Sequence, residues 1–245
     1  MSELTYESSP IAVRQDLLAA HQATWRHIAA PGTWLTGAVR VAIAAEVRNA
    51  RDCALCQKRK QALSPYAVDG THDDLGDLPD TLVEVIHRIV TDPARLTPDW
   101  YGTMIESGLE ATGYVETVAV ICMTIAIDTF ARSMGMAPPV LPEPIAGSPT
   151  RIRPPEAKPG DAWVPWIAPG DAAAFADDVF GPEASNVQRA LTLVPDECRA
   201  FFRIVGAQYL SRDQMRDFDN EYRAITHGQI ELVAGRVSAI NQCAY

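Results

Sequence analysis

The stretch Thr33-Trp-Leu-Thr-Gly-Ala-Val-Arg-Val-Ala-Ile-Ala-Ala-Glu-Val-Arg-Asn-Ala-Arg-Asp-Cys53-Ala-Leu-Cys56 decides how this chain is read. Leu35, Val39, Ala42, Ile43, Ala45 and Val47 recur at helical spacing, which predicts an amphipathic helix over 33–51. That helix leads into a Cys-x-x-Cys pair. Two sulfurs at this spacing come within bonding reach and can cycle between dithiol and disulfide.

The texture on either side is the same. Residues 11–29 carry Val13, Leu17, Leu18 and Trp25 and end at Pro31-Gly32. A helix carrying Cys56 to Leu63 is expected next, then a Gly- and Asp-rich loop over 64–80. Further helices are predicted at 81–91, 98–110 and 113–134, with stops at Asp92-Pro93 and Gly135. No β pattern interrupts this half. Ten of the 18 prolines then fall between 138 and 169, which forbids helix interiors and favours extended chain. Trp163 and Trp166 within it predict that this segment lies along the protein surface rather than in free solvent. Helical texture resumes near 184–195, 196–210 and 219–240. The expected fold is an all-α helical bundle of two similar halves, 1–137 and 170–245, joined by the proline-rich strap 138–169. A shift of 190 residues sets Cys53 on Cys243, Val47 on Val237, Ala44 on Ala234 and Ile43 opposite Val233, the pattern of a duplication.

Composition narrows the function classes. A formal charge of −10 over 245 residues argues against a nucleic-acid or anionic-membrane surface. The first ten residues lack the basic and apolar blocks of a signal peptide. The longest apolar run, Val118 to Ile127, falls short of the roughly 20 residues that span a bilayer. Five unevenly spaced cysteines do not form a secreted disulfide framework. A cytoplasmic protein with no nucleic-acid or membrane partner is expected, with Cys122 an inert core thiol.

Cys53 and Cys56 are the candidate reactive pair. Glu46, seven residues before Cys53, shares a face with it if the helix continues that far, and stands as a candidate proton relay. Asp52 is expected to cap the next helix, placing Cys53 in its first turn, where the helix dipole favours thiolate. Lys58, Arg59 and Lys60 add positive charge nearby. His87 reads as a half-buried histidine bonded to a carbonyl, and Asp69-Gly-Thr-His72-Asp73-Asp74 as a solvated turn. His227 reads as a surface helix partner of Glu231. Zinc would need two ligands beyond Cys53 and Cys56, and no second Cys-x-x-Cys or His pair supplies them, so neither metal nor cofactor is expected.

Glu231, then eleven residues, then Cys243 resembles the first part of the Glu-x11-Cys-x2-Cys-x3-His signature of AhpD-like alkylhydroperoxidases, in the carboxymuconolactone decarboxylase superfamily. Trp34-Leu-Thr-Gly, Cys53-Ala-Leu-Cys56 and Ser64-Pro-Tyr-Ala-Val-Asp-Gly look like the two-domain alkylhydroperoxidase-related (seleno)proteins. The resemblance implies a thiol-dependent peroxidase that takes a peroxide substrate and a dithiol or thioredoxin-like reductant, and assembles as a homo-oligomer. Glu231 matches the relay glutamate and Cys243 the first motif cysteine. The second motif position and the histidine have no counterpart, and a UGA codon read as stop would end a selenocysteine-containing chain at Tyr245. The first pair departs from the signature, with Val41 where the glutamate stands and Lys60 in place of histidine. Two other readings compete: a structural oligomer whose site is incomplete, and carbon–carbon chemistry of the decarboxylase type, which needs no cysteine pair.

Overall fold

The computed structural model describes residues 4–168, 171 and 185–241. These form ten α-helices: α1 (Gln15–Ala29), α2 (Gly37–Asn49), α3 (Ala54–Gln61), α4 (Asp80–Thr91), α5 (Pro98–Glu106), α6 (Ala111–Ser133), α7 (Asn186–Leu191), α8 (Pro195–Gln208), α9 (Arg212–Arg216) and α10 (His227–Ile240). Among the described residues the only β pairing is a single bridge between Lys158 and Trp166. The fold is all-α, as the periodicity predicts.

The helix expected over 33–51 starts later and stops earlier. The Thr36 hydroxyl accepts from the Val39 N–H and caps α2, while residues 33–35 form the entry turn. At the other end Ala50–Asp52 tighten into a 3-10 turn. α6 is the central element and packs against α1, α2, α4 and α8. Its 23 residues are long and apolar enough to cross a membrane by length and composition, which corrects the shorter run read from sequence. Here most of the helix is buried within the bundle, and it carries Glu116 and Asp128 inward.

Those two carboxylates hold helices together. Asp128 receives both ends of Arg48 from α2, at 2.8 and 2.9 Å. Glu116 takes Arg40, fully buried on α2, which also reaches Glu197 of α8 at 2.7 Å. Glu116 accepts the Trp34 N–H at 2.7 Å as well, fixing the turn into α2. Gly32 sits so close to this pair that a Cβ there would lie 1.9 Å from Glu116 Oε1 and would have to displace the buried ion pair.

The proline-rich strap lies along the helices. Its Val140 carbonyl accepts from Trp25 Nε1 at 2.9 Å, and its Ile145 and Arg151 N–H groups donate to Ala29 and Thr33, both at 2.8 Å. Val164 and Ile167 drop into the core. Trp163 stays 42% exposed beside Tyr101, so only part of the strap is covered.

Candidate functional site

The Cys-x-x-Cys pair sits at the joint between α2 and α3. The turn Ala50–Asp52 takes up Asp52, so Cys53 itself is the N-cap of α3 and Asp52 does not cap it. The side-chain cap comes from a distant residue: Asp73 Oδ2 accepts the Ala54 N–H at 2.7 Å. The loop expected to be a solvated turn thus folds back over the pair. Asn49 Nδ2 donates to the Asp73 carbonyl at 2.6 Å, and the Leu75 N–H donates to Glu46 at 3.0 Å. Beneath this cover Cys53 and Cys56 are 1% and 2% exposed.

Two histidines complete the cluster. His72 Nδ1 lies 3.5 Å from each sulfur, and His87 Nδ1 lies 3.4 Å from Cys56 Sγ. The outer nitrogen of each ring meets a carboxylate, His72 Nε2 on Glu84 and His87 Nε2 on Glu46, both at 2.7 Å. A carboxylate only accepts, so each Nε2 carries a hydrogen and each Nδ1 is turned toward sulfur. Glu84 is held in turn by Arg59 at 2.8 Å and by Trp100 Nε1 at 3.1 Å. Two Cys–His–carboxylate chains therefore interlock at one buried point.

Their electrostatics differ. Burial works against protonation of His72, but Cys56, Glu84 and Cys53 outweigh it and hold the ring up to about 10, so it is an imidazolium at neutral pH. Burial opposes ionisation of Cys53 as well. The N–H groups of Cys56 and Asp73, then His72 and Cys56, overcome it and leave this thiol below its usual range. His87 moves the other way: burial, joined by the charge on His72, outweighs the pull of Glu46 and keeps the ring neutral. Glu84 is drawn down to about 2, against burial, by His72 and Arg59. The site thus sets an imidazolium against both sulfurs and a neutral imidazole against Cys56 alone.

The expected residues fall into place unevenly. Glu46 belongs to the site, but it reaches the thiols through His87 rather than along its own helix, because α2 ends before Cys53. Arg59 contributes through Glu84, whereas Lys58 and Lys60 are exposed near the far end of α3. His87 is fully buried between Cys56 and Glu46, not half-buried on a carbonyl. Glu231 stands apart on α10, accepting from Tyr209 at 2.5 Å and pairing with His227 at 3.4 Å. Cys243 lies outside the described residues. His72, Glu84 and Asp73 were missed, since nothing in a polar loop or an amphipathic helix marks the side chain that folds inward. The premise that no histidine pair accompanies the cysteines is also corrected, because the fold brings two imidazoles against the sulfurs.

The chain matches no family model, no curated protein and no solved structure. What the site does is therefore argued from its chemistry.

Proposed function

We propose that the protein is a thiol-dependent peroxidase-like oxidoreductase, related to the AhpD-like alkylhydroperoxidases, that works through Cys53 and Cys56. The observation that carries this reading is the pair of sulfurs sharing His72 at 3.5 Å while Cys56 alone also faces His87. Cys53, as thiolate, attacks one oxygen of the peroxide; the O–O bond breaks and the departing alkoxide takes the proton from His72 Nδ1. Cys53 is left as a sulfenic acid. His87, oriented by Glu46, accepts the Cys56 proton, and the new thiolate attacks the Cys53 sulfur. A disulfide forms, and hydroxide leaves with a proton as water. Two thiols and one hydroperoxide become one disulfide, one alcohol and one water, and a dithiol reductant reopens the bridge. The cover over both sulfurs favours hydrogen peroxide or a small alkyl hydroperoxide over a bulky one.

The homo-oligomer belongs to the same proposal, as does descent of the two halves from one duplicated unit. The supporting register is that Thr36 caps α2 and Thr226 caps α10, the same 190-residue offset that relates Cys53 to Cys243.

Mass spectrometry after mild peroxide is expected to find a Cys53–Cys56 disulfide before any change at Cys122 or Cys198. Burial pushes the Cys122 thiol up to about 11, where almost none ionises at neutral pH. Oxidation of Cys122 ahead of the pair, or no peroxide consumption with any dithiol supplied, would overturn the reading.

A further inference from the structure

The four inward-facing donors also converge closely enough to hold one metal ion. We propose that the reduced protein binds one zinc ion through Cys53 Sγ, Cys56 Sγ, His72 Nδ1 and His87 Nδ1, and that the bound ion keeps the cysteine pair from peroxide.

The donor set comes first. Two thiolates and two imidazoles are a borderline-soft, tetrahedral combination that selects zinc over the hard cations, which prefer oxygen. The spacing agrees. Zinc–sulfur and zinc–nitrogen bonds of ordinary length, at tetrahedral angles, place sulfur and nitrogen about 3.6 Å apart. The three recorded sulfur–nitrogen separations are 3.5, 3.5 and 3.4 Å, and all four donor atoms lie within 4.8 Å of one another. An ion can enter at their centre with only small adjustments.

Outer groups strengthen the assignment. Zinc-bound imidazoles characteristically give their other N–H to a carboxylate, which fixes ring orientation and raises ligand basicity. Both rings here do so, His72 to Glu84 and His87 to Glu46. Hydrogen bonding between thiol and imidazole would explain one such chain; it does not call for four donors converging, each imidazole backed by a carboxylate. The charge also closes, since two thiolates neutralise the ion. The ligands are held before binding: Asp73 ties the His72 loop to the start of α3, and Asn49 ties it to the end of α2. Burial of both cysteines fits a closed site with four protein ligands rather than one with a position left for water.

The control follows from coordination. Both sulfur lone pairs that would attack peroxide are engaged by the ion, and His87 Nδ1 can no longer accept a proton. Oxidation of the pair to a disulfide removes two ligands and must release the metal. Binding stands by itself on the donor geometry; the gating rests on the peroxide reading above.

The full chain, reduced and stripped of metal, is titrated with cobalt(II) as a spectroscopic probe and then with zinc. One cobalt per chain is expected, with tetrahedral ligand-field bands and a thiolate-to-metal charge-transfer band, both lost as zinc displaces it. Wild-type spectra report the ligands even if Cys or His variants fail to fold. Glu84→Gln should keep the spectrum while weakening affinity roughly 10- to 100-fold. Absence of binding, octahedral bands without charge transfer, or binding unchanged after alkylation of Cys53 and Cys56 would overturn the site. Peroxide is then added to zinc-loaded and metal-free protein. Zinc release in step with the disulfide, slower than closure in the metal-free form, is expected; equal rates would overturn the gating. Disulfide closure in a protein that binds no metal removes this inference and leaves the peroxidase reading standing. A tetrahedral S2N2 site in a protein whose free pair ignores peroxide does the reverse.

Discussion

His72 faces both sulfurs and His87 faces only Cys56, and in the proposed chemistry that difference should separate their effects. His72 touches both sulfurs and bears a proton, so removing it should leave Cys53 without its counterion. In His72→Ala, alkylation of Cys53 at neutral pH is expected to slow, roughly tenfold for each unit by which the thiol pKa rises above the pH. His87→Ala should leave that first alkylation nearly intact and instead delay disulfide closure, because its partner is Cys56. Timed alkylation with mass spectrometry separates the two, and a loss of Cys53 reactivity in both variants alike would contradict the division. A third histidine reports on stability. His21 is fully buried against Tyr6 and Gln208, and burial pulls it down to about 4. Its folded pKa lies below its unfolded one, so its neutral form costs nothing above about pH 6.5. As pH falls from there toward 4 the unfolded chain takes up a proton that the folded chain refuses, and stability drops by on the order of 3 kcal/mol. Urea unfolding across this range should show the decline, and His21→Gln should flatten it.

At the scale of elements, α2 is tied into the fold by charges that have left water. Arg40 is fully buried, as are its partners Glu116 and Glu197. Glu116→Ala leaves Arg40 balanced by Glu197 but removes one of its two buried carboxylate acceptors, so it should cost on the order of 3 kcal/mol, more than an exposed pair. It also deprives the Trp34 and Leu35 N–H groups of their acceptor. Thr36→Ala, which removes only the cap of α2, should cost about 1 kcal/mol. Denaturant midpoints rank the two, and a reversed order would mean that the cap, not the buried network, governs entry into the helix. Because Glu46 and Asn49 lie on the same helix and pin the His72 loop, weakening its start is expected to loosen the cysteine site as well.

At the scale of the molecule, α2 and α10 have like patterns and unlike surroundings. Ile43 and Val47 of α2 are buried, whereas Val233 and Val237, which stand opposite them at the 190-residue offset, are 57% and 51% exposed. Leu232 and Ile240 add to the uncovered apolar surface of α10. Such a patch marks an association surface, and a second copy of this chain is the expected cover, in keeping with the homo-oligomer proposed above. Light scattering at micromolar concentration should give more than the monomer mass, and Val233→Lys with Val237→Lys should return it to the monomer. A monomeric wild-type chain would remove the proposal.

The amino-acid sequence by itself determined that the chain is helical, where most helices lie, and that Cys53 and Cys56 stand together as a candidate reactive pair. These follow from local periodicity and from the three-residue step between Cys53 and Cys56, which neighbours in the chain suffice to set. Glu46 was legible as a carboxylate near the pair, though not the histidine through which it acts. The tertiary structure alone decided the rest of the site. His72 comes from a loop and His87 from α4, 16 and 31 residues beyond Cys56. Whether a histidine in a polar loop meets solvent or sulfur depends on Asp73 capping a helix 19 residues earlier in the chain. That contact is between side chain and distant backbone, and packing, rather than spacing, brings the two together.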